Sequence, residues 1–170
     1  MRKIKHKVLK KQNNSLHCLV CGLENDLGLK ASFYELDNDE LVAYFTTQKE
    51  HQSYPGRLHS GISSAIINEA MARAIMISEP HCWAVTMEFK TRYLKPVPLD
   101  NNLKVVARVT QNFPKTFTAE SELILPNGQI AIMGSGKYAK MKLPEITTAE
   151  FFEFGWQFDK EKPLPEEIEI

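Results

Sequence analysis

The stretch RLHSGISSAIINEAMARA, residues 57–74, with Ile75, Met76 and Ile77 after it, restricts the fold more than any other part of the chain. Ile62, Ala65, Ile66, Ile67, Ala70, Met71, Ala74, Ile75, Met76 and Ile77 occupy nearly every face of the helix this stretch would form. A helix apolar almost all round is buried all round. Pro55 and Gly56 precede it and Ser78-Glu79-Pro80-His81 closes it, so the helix is expected over residues 59–77. The chain has 170 residues, enough for one domain with a real core. Whatever surrounds the helix must therefore come from the rest of that one domain.

The rest reads as strands. LKASFYEL (29–36) and ELVAYFTT (40–47) are β-branched and aromatic runs separated by Asp37-Asn38-Asp39, a hairpin signature. After the helix, CWAVTMEFKTRYL (82–94) ends at the breaker KPVP. In the next run Leu103, Val105, Ala107 and Val109 alternate with polar neighbours, as do Phe117, Ala119, Ser121, Leu123 and Leu125 in the one after. Asn127-Gly128 is the strongest hairpin turn, and QIAIMGSGKYAKM pairs back after it. Gly134 and Gly136 within that strand imply a bulge or a close approach by a ligand or another backbone. TTAEFFEF (147–154) adds a short helix. The order β-β-α-β-β-β-β predicts an α+β fold, an antiparallel sheet of about six strands wrapped around one long buried helix.

Charge excludes some functions. There are 21 basic and 21 acidic residues, so the total suggests no nucleic-acid partner. The first eleven residues carry Arg2, Lys3, Lys5, Lys7, Lys10 and Lys11 and no acid. From Glu145 onward there are eight acids against Lys160 and Lys162. These ends either attract each other or are both solvated. No apolar run approaches the ~20 residues that span a bilayer, and the basic start has no apolar run behind it. Three cysteines make a disulfide framework unexpected, and a cytoplasmic protein is expected.

HQSYPGRLHSGISSAIINEAMARA resembles the HQG-x-PG-x-x-HGG…LLDEAMG signature of PaaI-like acyl-CoA thioesterases of the hotdog fold. TMEFKTRYLKPVPLDNNLKV is similar to the strand that follows the helix in that family. CLVCGLENDLGL (18–29) is similar to its C-x-x-CG-x-x-N-x-x-GL lead-in. The resemblance divides the chain into a basic segment (1–17), a hotdog domain (18–143) and an acidic extension (144–170). It implies hydrolysis of a small or medium acyl-CoA by a homodimer or homotetramer, with coenzyme A entering as part of the substrate and no separate cofactor. Along one helix, the Ser60 N–H and the Asn68 side chain lie about 12 Å apart. They cannot serve one thioester in cis, and the family's sites are shared between subunits.

Thioester hydrolysis needs donors for a developing oxyanion and a group that activates water or attacks directly. The resemblance assigns the oxyanion N–H to Ser60, followed by Gly61, with His59 orienting the carbonyl or the loop. The family's acid falls at Asn68, which cannot take up a proton. Glu69 is next, but points about 100° away, and its easiest partner is Arg73 in an i,i+4 ion pair. Three mechanisms remain open. Asn68 holds a water for a histidine base, His51 or His59; Glu69 stands in as base; or the site binds acyl-CoA without hydrolysing it. Thr86 matches a hydroxyl that steadies the attacking water in relatives, and Ser53 a position often held by Asn or Gln. Lys90, Arg92 and Lys95 are expected at the CoA phosphates. Cys18 and Cys21 have metal-ligand spacing, but tetrahedral zinc takes four ligands, and His17 and Cys82 are the only further candidates. A packed turn and no metal are expected, the alternative being a zinc site, including one shared across a dimer.

Overall fold

The structure, a computed structural model, describes residues 4–99, 102–148, 150 and 155–170. The expected hairpin forms as β3 (Ser32–Leu36) and β4 (Leu41–Thr46), with Asp39 in the left-handed region at φ 62 between them. The helix α1 runs Ser60–Ala74 and tightens into a 3₁₀ turn over Ile75–Ile77. Then come β5 (Trp83–Tyr93), β6 (Asn102–Asn112), β7 (Thr116–Ile124) and β8 (Ile130–Met141). Gly128, at φ 81, turns β7 into β8. The inward sides of β6 and β7 are those the alternation marks: Leu103, Val105, Ala107, Phe117, Ala119, Ser121 and Leu123 are buried. Most of the 147–154 segment expected to be helical lies outside the described residues.

Among the described residues the main sheet has eight antiparallel strands rather than about six; with β1 at Lys5–Lys11 and β10 at Glu167–Glu169, the order is β10-β1-β3-β4-β6-β7-β8-β5. The two additional strands, β1 and β10, come from the charged ends. They pair antiparallel with each other, and Lys5 reaches Glu167 at 3.2 Å. Sequence alternation hides β1 because a register shift between Val8 and Lys10 leaves Leu9 exposed and Lys11 buried. A small second sheet pairs β2 (Asn14–Ser15) with β9 (Trp156–Gln157). Beside it the Lys11 ammonium, fully buried, bonds to the Asp159 carboxylate at 3.0 Å and to the carbonyls of Asp159 and Lys162.

The concave side of the sheet holds α1. Ile66, Ile67, Ala70, Met71 and Ile75 are fully excluded from water among Phe33, Leu41, Leu103, Leu123 and Ile132. Each of the larger ones contributes about 2 kcal/mol by burial. The helix is not buried all round, however. A strip of Ile62, Ser64, Ala65, Asn68, Glu69 and Ala72 stays half-buried, and Ser60 and Gly61 are exposed. The sheet of one chain curls round part of the helix only, and the residues on the open side, Ile62 apart, are small or polar.

Gly134 and Gly136 mark a close approach by side chains. A Cβ on Gly134 would stand 2.5 Å from Ile67 Cγ2, and one on Gly136 2.8 Å from the Tyr138 hydroxyl. The bulge falls in β5 instead, at Met87, between the pairs Thr86–Tyr138 and Glu88–Lys137. One added residue exchanges the two faces of everything beyond it.

Candidate active site

His59 caps α1. Its Nδ1 accepts the Gly61 N–H at 2.9 Å, so the ring carries its proton on Nε2. Its backbone N–H donates to the His51 carbonyl at 2.8 Å, and Leu58 N–H to Val97 at 2.9 Å, which fixes the entry to the helix. The Ser60 N–H, at the first helical position, has no partner among the described residues, as expected where a helix begins. It opens, with Ser53, Arg57, His59, Tyr93 and Lys95, into a cavity of about 780 Å³. The Lys95 ammonium is directed to Gln129 Oε1 at 3.0 Å.

Sequence reasoning missed Tyr93. Its hydroxyl donates to the Ser60 carbonyl at 2.9 Å and stands 2.6 Å from Ser64 Oγ, pinning the first turn from β5. It faces the helix because of the bulge at Met87. For the same reason Lys90 and Arg92 face away, lining a separate hollow of about 230 Å³ with Glu120 and Glu122. The structure does not bring them to the cavity at His59.

Two turns on, Asn68 Oδ1 accepts hydrogen bonds from Thr86 Oγ1 at 3.2 Å and from the Tyr138 hydroxyl at 3.0 Å. Tyr138, also missed, is fully buried and stacked on Phe117, with ring centroids 5.0 Å apart. Burial first, and the nearby Glu69 charge second, push its phenol pKa up, which keeps the proton on and the hydroxyl a donor. A signal for it lies in the inward phase of β8: Gly134, Gly136 and Tyr138 share the face towards α1. With its oxygen held twice, Asn68 keeps its NH₂ group as the donor it can still offer.

Glu69 turns aside. Its Oε1 accepts from Arg73 Nε at 2.7 Å. Arg73 is buried, its guanidinium between the rings of Phe33 (4.3 Å) and Trp156 (4.7 Å), and it donates also to the Asn13 carbonyl and to Cys21 Sγ. His51 is buried, with Nδ1 accepting from Gln48 N–H at 3.0 Å and Nε2 donating to the Leu27 carbonyl at 2.8 Å. Both of its nitrogens are committed. Cys82 belongs to the far end of the helix, beside Trp83 and the Glu79–Lys140 pair. Hydrogen bonding from Cys21 lowers the Cys18 thiol to about 6 against the opposing effect of burial; the same bond, with burial, raises Cys21.

An antiparallel sheet curled around one helix whose N-terminus opens into a cavity defines a hotdog-fold protein. The family model described as the thioesterase superfamily matches residues 55–132, which hold the helix and the strands facing it. The hotdog thioesterase resemblance read from the sequence is thus carried by the family match and by the fold. An uncharacterized protein of Schizosaccharomyces pombe, C26H8.11c, is 25% identical over 96 residues, which cover 56% of this chain and 55% of that protein. The match spans only about half the length of that curated relative. Among solved structures, the Escherichia coli PaaI protein of the phenylacetic acid degradation operon has a TM-score of 0.61 at 18% identity, covering 66% of this chain and 80% of that one. A hypothetical thioesterase from Streptococcus pneumoniae, solved with coenzyme A, has a TM-score of 0.56 at 14% identity, covering 61% and 82%. At these identities the likeness is one of fold.

Proposed function

We propose that the protein is an acyl-CoA thioesterase whose site forms between two copies. The observation that carries this reading is the unpartnered Ser60 N–H at the positive end of α1, opening into a cavity large enough for an acyl-pantetheine group. The CoA-bound relative supports the choice of thioester. The thioester oxygen accepts from Ser60 N–H and from His59 Nε2–H. The second copy's strip, centred on Asn68, closes the other side. Water attacks the carbonyl carbon, negative charge collects on the oxygen facing the donors, and the C–S bond breaks to release CoA thiolate. The water's proton passes to solvent, because neither Asn68 nor the Nδ1-capped His59 is placed to take it. Polarisation of the carbonyl by fixed donors is thus the main source of rate.

Release of free thiol from short, medium and aromatic acyl-CoAs is the test. Turnover that falls at least tenfold in Asn68→Ala and survives in Glu69→Gln is expected. A second reading is favoured by the pairing of the nearby carboxylate: Asn68 replaces the acid, and Glu69 is held by Arg73. Under it the protein binds acyl-CoA without hydrolysing it. Measurable acyl-CoA binding with no thiol release from any substrate selects this second reading.

A further inference from the structure

The turn that brings Cys18 and Cys21 together is built around its sulfur atoms. Val20 N–H donates to Cys18 Sγ at 3.3 Å, and Ser15 N–H to Cys21 Sγ at 3.3 Å. Arg73 Nη2 adds a second donor to Cys21 Sγ at 3.1 Å. Gly22 N–H closes the turn on the Cys18 carbonyl at 2.8 Å, and a Cβ at Gly22 would fall 2.3 Å from that oxygen. Only glycine fits there. Asn14 Nδ2 ties the turn to the sheet by donating to the Cys21 and Ala31 carbonyls, each at 2.8 Å. One N–H aimed at Cys18 Sγ and two at Cys21 Sγ would offset negative charge on the sulfur atoms once a cation displaces the thiol protons.

The fold adds what the local sequence lacks. Glu69, on the third turn of α1, brings a carboxylate oxygen to the pair, so that it and both sulfur atoms lie within 4.8 Å of one another. A tetrahedral ion bound at about 2.3 Å from each sulfur holds them about 3.8 Å apart, which falls within that limit. Arg73 occupies Oε1 of Glu69 and leaves the second oxygen. The charges balance: two thiolates and one carboxylate against the buried guanidinium and a divalent ion. Arg73 also orients two of the three ligands, as outer partners do in metal sites. Two sulfurs and one oxygen select a thiophilic divalent ion over magnesium or calcium.

We propose that Cys18, Cys21 and Glu69 form a binding site for a thiophilic divalent cation of the zinc type, its remaining position open to water or an added ligand. The site lies one step round the helix from Asn68 and does not depend on whether the protein hydrolyses thioesters. In this arrangement Glu69 is a metal ligand rather than a base.

The test is titration of the full chain with cobalt(II), after treatment with a chelator and under a non-chelating phosphine reductant. The expected result is a saturable near-ultraviolet thiolate-to-cobalt band with the visible bands of a tetrahedral ion, at one cobalt per chain, displaced by zinc. Cys82→Ser leaves the band unchanged. Cys18→Ser, at a half-buried position that a serine fits, removes it. Glu69→Gln keeps the fold and weakens cobalt binding on the order of tenfold or more. A reduced protein with no thiolate–cobalt band overturns the proposal, as does a band that survives Cys18→Ser or an affinity unchanged in Glu69→Gln. Because the readout is spectroscopic, absence of thioesterase activity would leave this result unaffected.

Discussion

A few single groups decide how α1 is presented. Tyr138 is a positioning residue: buried, protonated and donating to the Asn68 oxygen, it sets which end of the amide faces a ligand. Tyr138→Phe keeps the stack on Phe117 and removes only the hydroxyl. If the protein is a thioesterase, kcat should fall several-fold with KM nearly unchanged, and the melting temperature should move little; equal loss in both parameters would assign the residue to binding. Gly134 acts by size. Gly134→Ala pushes a methyl group into Ile67 and Ser121 Oγ, with an expected loss of about 1–3 kcal/mol in denaturant unfolding. At this scale the sequence disclosed part of the site. His59 and Ser60 could be found because a helix start has a local signature. Tyr93 could not, because its direction depends on one extra residue at Met87, and a bulge leaves no period of its own.

The elements show a similar division. The helix and the six central strands were legible because burial on one side imposes a period of 3.6 or 2 on apolar residues. β1 and β10 were not, since their stability comes from pairing with each other and from charge rather than from alternation. The Lys11–Asp159 pair fastens the last segment to β1. Burial would raise the Asp159 carboxyl, but the hydrogen bond from Lys11 and the Glu161 N–H outweigh it and hold it below the usual value. A depressed pKa gives stability that is fully present above the unfolded carboxyl's pKa and is lost as pH falls through the folded one. Asp159→Ala should therefore cost about 3 kcal/mol near neutral pH. The difference from wild type should shrink as the solution is acidified through the carboxylate range, as equilibrium unfolding at a series of pH values will show. A difference independent of pH would mean that the pair contributes by packing alone.

For the whole molecule, the open strip of α1 and the outer edge of the sheet point the same way. β5 is the free edge and exposes Val85, Met87 and Phe89 at 43%, 54% and 37%. A long apolar edge is a template for another strand, and we propose that it meets the same edge of a second copy. Sedimentation should then find a dimer or tetramer that Val85→Lys with Phe89→Lys converts to monomer. Sedimentation as a monomer in the wild type would remove the shared site from the function proposed above. No helix among the described residues is long and apolar enough to cross a membrane. The opposite edge differs, because there β10 covers β1 and the Ile4 and Ile170 backbones exchange hydrogen bonds at 2.8 and 2.9 Å. That cover has a consequence for how the chain acquires its shape. The partner of β1 lies more than 150 residues further along the chain, so during translation β1 waits with one side bare until residues 167–169 emerge, and that pairing closes over a long sequence separation.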